Sequence, residues 1–149
     1  MVRPLNVSHS IAVLTRTAFE SAPDAFVKIA RDVPGEYWRR EHFEVDLPKK
    51  WELSRAVWQE KSLIGYAIVS SKAPKRAHLH HFMVDGGWRG RGIGSELLTQ
   101  VLEAARAAGH DHITLKVLAG VPARRLYERS GFVPCGEENG YLVYRRGLP

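Results

Sequence analysis

The sequence predicts a mixed α/β (α+β) fold: residues 1–149 form a single domain, with one mixed central sheet of about seven strands and about four helices on its two faces. Three observations carry this. The chain is 149 residues of ordinary globular composition, without repeat, low-complexity tract or linker, which suits one domain with a proper core. Its segments run β-α-α-β-β-β-α-β-α-β-β, mixed rather than strictly alternating. Residues 77–118 read strand, glycine-rich loop, helix, strand, a crossover that joins a parallel pair.

Taken in order, Val2 to Leu5 reads as a short edge strand tolerant of Pro4. Ser8 is a candidate N-cap for a helix with Ile11, Leu14, Ala18 and Phe19 on one face. Pro23 suits the first turn of a second helix carrying Phe26, Ile29 and Ala30, which ends before Pro34-Gly35. Residues 34–50 are the least periodic, rich in aromatic and charged side chains, and read equally as a surface excursion or as one wall of a binding site. Trp51 to Gln59 alternates loosely as a strand, with a hairpin turn at Glu60-Lys61. Leu63 to Val69 is apolar on both faces and fits a central strand covered on both sides.

Residues 77–98, AHLHHFMVDGGWRGRGIGSELL, are the centre of the chain. A strand from Ala77 to Val84 is broken by Asp85, Gly86 and Gly87. From Ile93 the apolar positions Leu97, Leu98, Val101, Leu102 and Ala105 have helical spacing. Gly90, Gly92 and Gly94 leave the loop backbone open to close approach, and the free N–H groups of the helix make an anion site. Neither a dinucleotide fingerprint nor a Walker loop fits these spacings. Gly109 suits the helix C′ position. His112 to Leu118 is the next strand, followed by a helix opening near Pro122, a strand from Phe132, a turn at Glu138-Asn139-Gly140 and a last strand from Tyr141 to Tyr144.

No apolar run approaches the roughly 20 residues that span a membrane, and no signal segment is visible, so the expected location is cytoplasmic. The single cysteine, Cys135, excludes an internal disulfide and cysteine zinc motifs; it reads as a buried or half-buried packing residue. The net charge of +6 comes from scattered Lys and Arg, which fits steering of an anionic ligand as well as it fits nucleic acid and by itself decides neither.

The arrangement R-x-x-G-x-G, as Arg89, Gly92 and Gly94 after a strand ending at Val84, together with LYERSGF at 126–132, resembles the GNAT superfamily of N-acetyltransferases. The likeness covers residues 60–146 well and the N-terminal third weakly. AHLH before the loop, and LYERSGF, are similar to the arylalkylamine branch. The resemblance implies the GNAT fold, acetyl-CoA as co-substrate, direct transfer in a ternary complex, and an amine acceptor, small and primary, with aromatic amines as one candidate. Peptide acetylation at an N-terminus or lysine is the alternative, and a non-catalytic CoA sensor or nucleic-acid module the reading from another class. A homodimer is left open.

For holding the cofactor the resemblance implies the strand edge Phe82, Met83 and Val84 toward the pantetheine arm, and the loop and helix start Arg89, Gly90, Arg91, Gly92, Ile93, Gly94 and Ser95 toward the pyrophosphate. The family often carries asparagine where Gly120 stands, so that side-chain contact is not carried over. Tyr127 matches the family's tyrosine beside the thioester sulfur, and a phenol, protonated at pH 7, can protonate the leaving thiolate. His78 and His80 lie on one face of a regular strand, with His81 on the other, and an imidazole with a pKa near 6.5 suits proton pick-up from the amine; in the resembled branch two such histidines pass that proton to solvent. The resemblance, through the usual entry of such substrates between the first two helices and the last hairpin, implies Phe19, Tyr37, Trp38 and Tyr141 as candidates for an apolar acceptor pocket, with Glu20, Asp24 or Glu41 for its ammonium. His110 and His112 make a second H-x-H, but without acidic companions, so no metal is expected.

Overall fold

The computed structural model describes residues 8–34 and 37–149; the strand expected at residues 2–5 lies outside them. Seven strands form one sheet in the order β1-β2-β3-β4-β5-β7-β6. β1 is Ser10–Val13, β2 Arg55–Gln59, β3 Ser62–Ala73, β4 Arg76–Val84, β5 His112–Val117, β6 Val133–Glu138 and β7 Tyr141–Gly147. All neighbours are antiparallel except β4 and β5, the pair that the crossover helix α5, Ile93–Ala107, connects.

Two apolar layers sandwich the sheet. On one face α5 buries Ile93, Leu97, Leu98, Val101 and Ala105 against Val57, Val69, Leu79, Ile113 and Leu115. Leu126 of α6, Ala123–Arg129, packs at the margin of that layer. On the other face α1 (Arg16–Ser21), α2 (Pro23–Ala30) and α3 (Arg40–Glu44) bring Phe19, Phe26, Ile29 and Phe43 down on Tyr66, Ile68 and Met83. β3 is therefore buried from Ile64 to Ser70 without alternation. α5 closes at Gly109, whose φ of 94° only glycine adopts without strain.

The N-terminal third departs from the sequence reading. The helix expected from Ser8 is two elements: residues 10–13 extend β2's edge as a strand, and the helix starts later, where the Thr15 hydroxyl accepts a hydrogen bond from the Ala18 N–H at 3.1 Å. β-Branched Ile11 and Val13 favour the strand. The strand expected from Trp51 begins only at Arg55, because residues 50–53 wind into α4, Lys50–Leu53. Two side chains, each making two hydrogen bonds, override the alternation there. Ser54 Oγ sits between the N–H and the carbonyl of Val69 on β3, at 3.0 and 3.3 Å. The Lys50 ammonium, 1% exposed, donates to the carbonyls of Phe43 and Val45. Those carbonyls end α3, so the aperiodic stretch 37–50 is folded back and anchored at its centre rather than lying loose on the surface. Cys135 is exposed, not buried: it stands at a bulge in β6, an edge strand whose every residue is exposed. No helix among the described residues is long and apolar enough to cross a membrane.

Candidate active site

β4 and β5 pair only from Arg76↔His112 to Leu79↔Leu115. β4 keeps pairing with β3 up to Val84↔Gly65, and β5 with β7 up to Val117↔Leu142. Beyond Leu79 the two parallel strands therefore part. One backbone edge of residues 80–84 is left without a ladder partner, and buried peptide groups need one. A cleft of about 380 Å³ opens in this fork, within the usual range for ligand sites. Its walls include His80, Phe82, Met83, Val84, Arg89, Gly90, Gly92, Ile93, Gly94, Ser95 and Tyr127. All the residues expected to hold a cofactor thus gather around one cavity except Arg91, whose guanidinium lies over the Trp88 ring at 4.8 Å.

The mouth of the cleft is the N-terminus of α5. Its cap, Gly92, has φ 79° and offers no side chain to the first turn; the first helical bond closes from Glu96 N to Gly92 O. The preceding N–H groups are left for a ligand, a fit for a diphosphate. Gly90 shares the left-handed conformation, at φ 77°. Gly94 is small for another reason: a Cβ there comes within 3.2 Å of Leu126 on α6. Arg89 braces the loop, its Nε bonding the Val84 carbonyl at 3.1 Å and its guanidinium 3.8 Å from Asp32 at the end of α2. Tyr127, 6% exposed, is fixed edge-on between Phe82 and Phe132.

The strand before the loop is not regular. Ile68 pairs with His81 and Val69 with Leu79, so His80 is an inserted residue, a β-bulge at the fork. Ala77 and Leu79 face α5 before it; Phe82 and Val84 do so after it. His81 therefore lies on the same face as His78 and His80, correcting the regular-strand expectation. Its Nδ1 is 2.7 Å from the Tyr66 hydroxyl, and its ring stacks on Trp38 at 4.5 Å. The His78 and His80 rings are 4.7 Å apart. His80 Nε2 lies 2.6 Å from Ser70 Oγ, and His78 Nδ1 lies 2.7 Å from Thr114 Oγ1. Burial above all, then the neighbouring His80 and the charges of Lys72, Arg76 and Lys116, lowers the His78 pKa to about 3; burial, with Lys72 and Lys50, lowers that of His80 to about 4. The ordinary value near 6.5 does not apply, and both rings are neutral at pH 7.

Of the acceptor candidates, Trp38 reaches the site through His81. Phe19 does not: at 1% exposure it is a core residue, wedged among Phe26, Phe43 and Trp51. Tyr37 is exposed, and Tyr141 is half-buried at the start of β7. Glu20, Asp24 and Glu41 are exposed and do not line the cleft. His110 bonds the Ala105 carbonyl and Ser71 Oγ under α5, apart from His78 and His80. Sequence reading missed Ser70, Thr114 and Lys116, whose roles arise from strand register rather than from any local pattern.

The family model described as acetyltransferase (GNAT) family matches residues 22–132. A streptothricin acetyltransferase of Streptomyces lavendulae is 37% identical over 83 residues, 54% of this chain and 44% of the relative. A mycothiol acetyltransferase of Corynebacterium glutamicum is 31% identical over 91 residues, 60% of this chain and 30% of the relative. The chain thus spans less than half the length of these curated relatives. Among solved structures, Ard1 from Thermoplasma volcanium superposes with a TM-score of 0.78 over 96% of this chain and 99% of that one, at 22% identity, a likeness of fold.

Proposed function

The chain belongs to the acetyltransferase (GNAT) family, and from that premise we propose that it transfers the acetyl group of acetyl-CoA directly to a primary amine of a small molecule. The observation that carries this reading is the fork between β4 and β5, which joins an uncapped helix N-terminus, a free strand edge and a buried tyrosine in one cleft. The N–H groups of residues 93–95 bind the diphosphate, and the edge of residues 82–84 takes the pantetheine amides as an added strand does. The thioester supplies the acetyl group. Tyr127 donates a proton to the departing sulfur.

His80 and His78 take the amine proton outward. With pKa values held near 4 and 3 they are weak bases, so they relay rather than store it: a neutral imidazole accepts on one nitrogen while it donates from the other. Ser70 and Thr114 fix the rings for this. Exposed Cys135 lies outside the cleft, which supports transfer without an acyl-enzyme. The relatives named for streptothricin and for mycothiol differ in acceptor, so the acceptor is sought in this chain's own site.

Calorimetric titration with acetyl-CoA, followed by thiol-release assays over a panel of amines and of short peptides, tests the proposal. Acetyl-CoA binding with amine-dependent CoA release is expected. Binding without turnover of any acceptor replaces it with the sensor reading, and turnover of peptides alone replaces it with protein acetylation.

A further inference from the structure

The face of the sheet that carries His78 and His80 is only half covered by helices. Neither buried cluster includes a side chain from this face of β5, β7 or β6. Lys116 stands there one residue past the last β4–β5 pair, on the lip of the fork opposite His80, and it lines the cleft. Its ammonium bonds Glu138 of the β6–β7 hairpin at 2.8 Å. Lys72 and Arg76 are close enough for their charges to depress both the His78 imidazole and the Glu138 carboxyl. Arg76 Nε is buried and has no hydrogen-bond partner among the described residues. Lys116 thus pairs directly with this carboxylate, and Lys72 and Arg76 lie within longer electrostatic reach of it. That carboxylate is exposed, so its ion pair is weak and exchanges readily. α5 packs on the opposite face of the sheet.

We propose that Lys116, with Lys72 and Arg76, recognises a carboxylate on the acceptor, which takes over the place of Glu138, so that the enzyme's substrates are amino acids or similar amine–acids. The inference rests on the transferase reading above. It also has a second chemical consequence. A cationic surround disfavours an ammonium and favours the neutral amine that attacks the thioester. Arg76 lies four residues, about 13 Å, along β4 from His80, and Lys116 beside it across the fork, so acceptors with amine and acid within that separation fit.

The test compares ω-amino acids of increasing length with n-alkylamines of the same length, at low and high salt. For at least one length, kcat/KM for the amino acid should exceed that for the alkylamine about tenfold or more. The ratio should shrink toward one at high salt, and in Lys116→Gln and Lys72→Gln, mainly through KM. A second arm needs no turnover: succinate titrated into the protein and followed by amide NMR shifts should perturb residues around Lys116 and Glu138 in the wild type, and much less in the two variants. Equal use of both amine series, with no succinate response, overturns the inference and leaves the transferase standing. A succinate response lost in the variants, with no acceptor acetylated, overturns the transferase and leaves the anion site.

Discussion

Tyr127 is held by two aromatic edges rather than by solvent, so its phenol is pre-positioned and costs little to orient. Tyr127→Phe keeps the ring and removes the proton. A fall in kcat of about a hundredfold is expected, with the melting temperature near that of the wild type; an unchanged rate removes the acid role. The buried histidines leave a different trace. In the fold His78 and His80 stay neutral down to about pH 3 and 4, whereas in the unfolded chain imidazoles take up protons below about pH 6.5. Unfolding therefore takes up protons between those limits. Stability is unaffected by these groups above about pH 6.5 and is lost as the pH falls from there toward 4, by up to about 1.4 kcal/mol per pH unit for each ring. Urea unfolding at several pH values checks this: His78→Gln and His80→Gln should each flatten the acid slope, and slopes equal to that of the wild type overturn the burial argument.

At the scale of elements the loop into α5 matters most. Gly92 has φ 79° with nothing near a would-be Cβ, so its constraint is conformational, not steric. Gly92→Ala is expected to cost about 1 kcal/mol of stability and to weaken acetyl-CoA binding by at least tenfold, because the N–H groups of the first turn lose their common aim; calorimetry on the folded variant separates the two effects. This loop was legible in the sequence because its signals are local: a strand period, a run of glycines and a helical stripe lie side by side. The elements that were not legible depend on distant partners. Nothing within residues 50–59 announces that Ser54 will bond Val69 or that the Lys50 ammonium will cap α3. Nor does the apolar spacing of Ile11, Leu14, Ala18 and Phe19 reveal that it is shared between a strand and a helix.

For the whole molecule, the parallel pair follows from the crossover, and the place of the cleft follows from the split of that pair. The proposed acceptor side is different. It is assembled from β3, β4, β5 and the β6–β7 hairpin, so Ser70, Thr114, Lys116 and Glu138 meet only once the register is set, and Phe19 is claimed by the core. Because the cleft joins both halves of the sheet through α5 and α6, a ligand there should stabilise the whole fold. Acetyl-CoA at a hundred times its Kd adds about 2.7 kcal/mol, a rise in melting temperature of the order of 5–10 °C for a chain of this size. A thermal scan checks it, and no shift at saturating ligand contradicts the assignment of the cleft.

The inserted residue at His80 acts as a change of parity along β4. Before it, odd-numbered side chains face α5; after it, even-numbered ones do. The strand can therefore point three of its histidines the same way while still giving Phe82 and Val84 to the layer beneath the cleft. Flattening this bulge with every residue kept would restore strict alternation and exchange the two faces of everything between it and the glycine loop, a frameshift written in geometry rather than in codons. Deleting His80 itself removes the bulge yet leaves His81 and Met83, and Phe82 and Val84, on the faces they already have, so the parity of the strand survives the loss of that one ring.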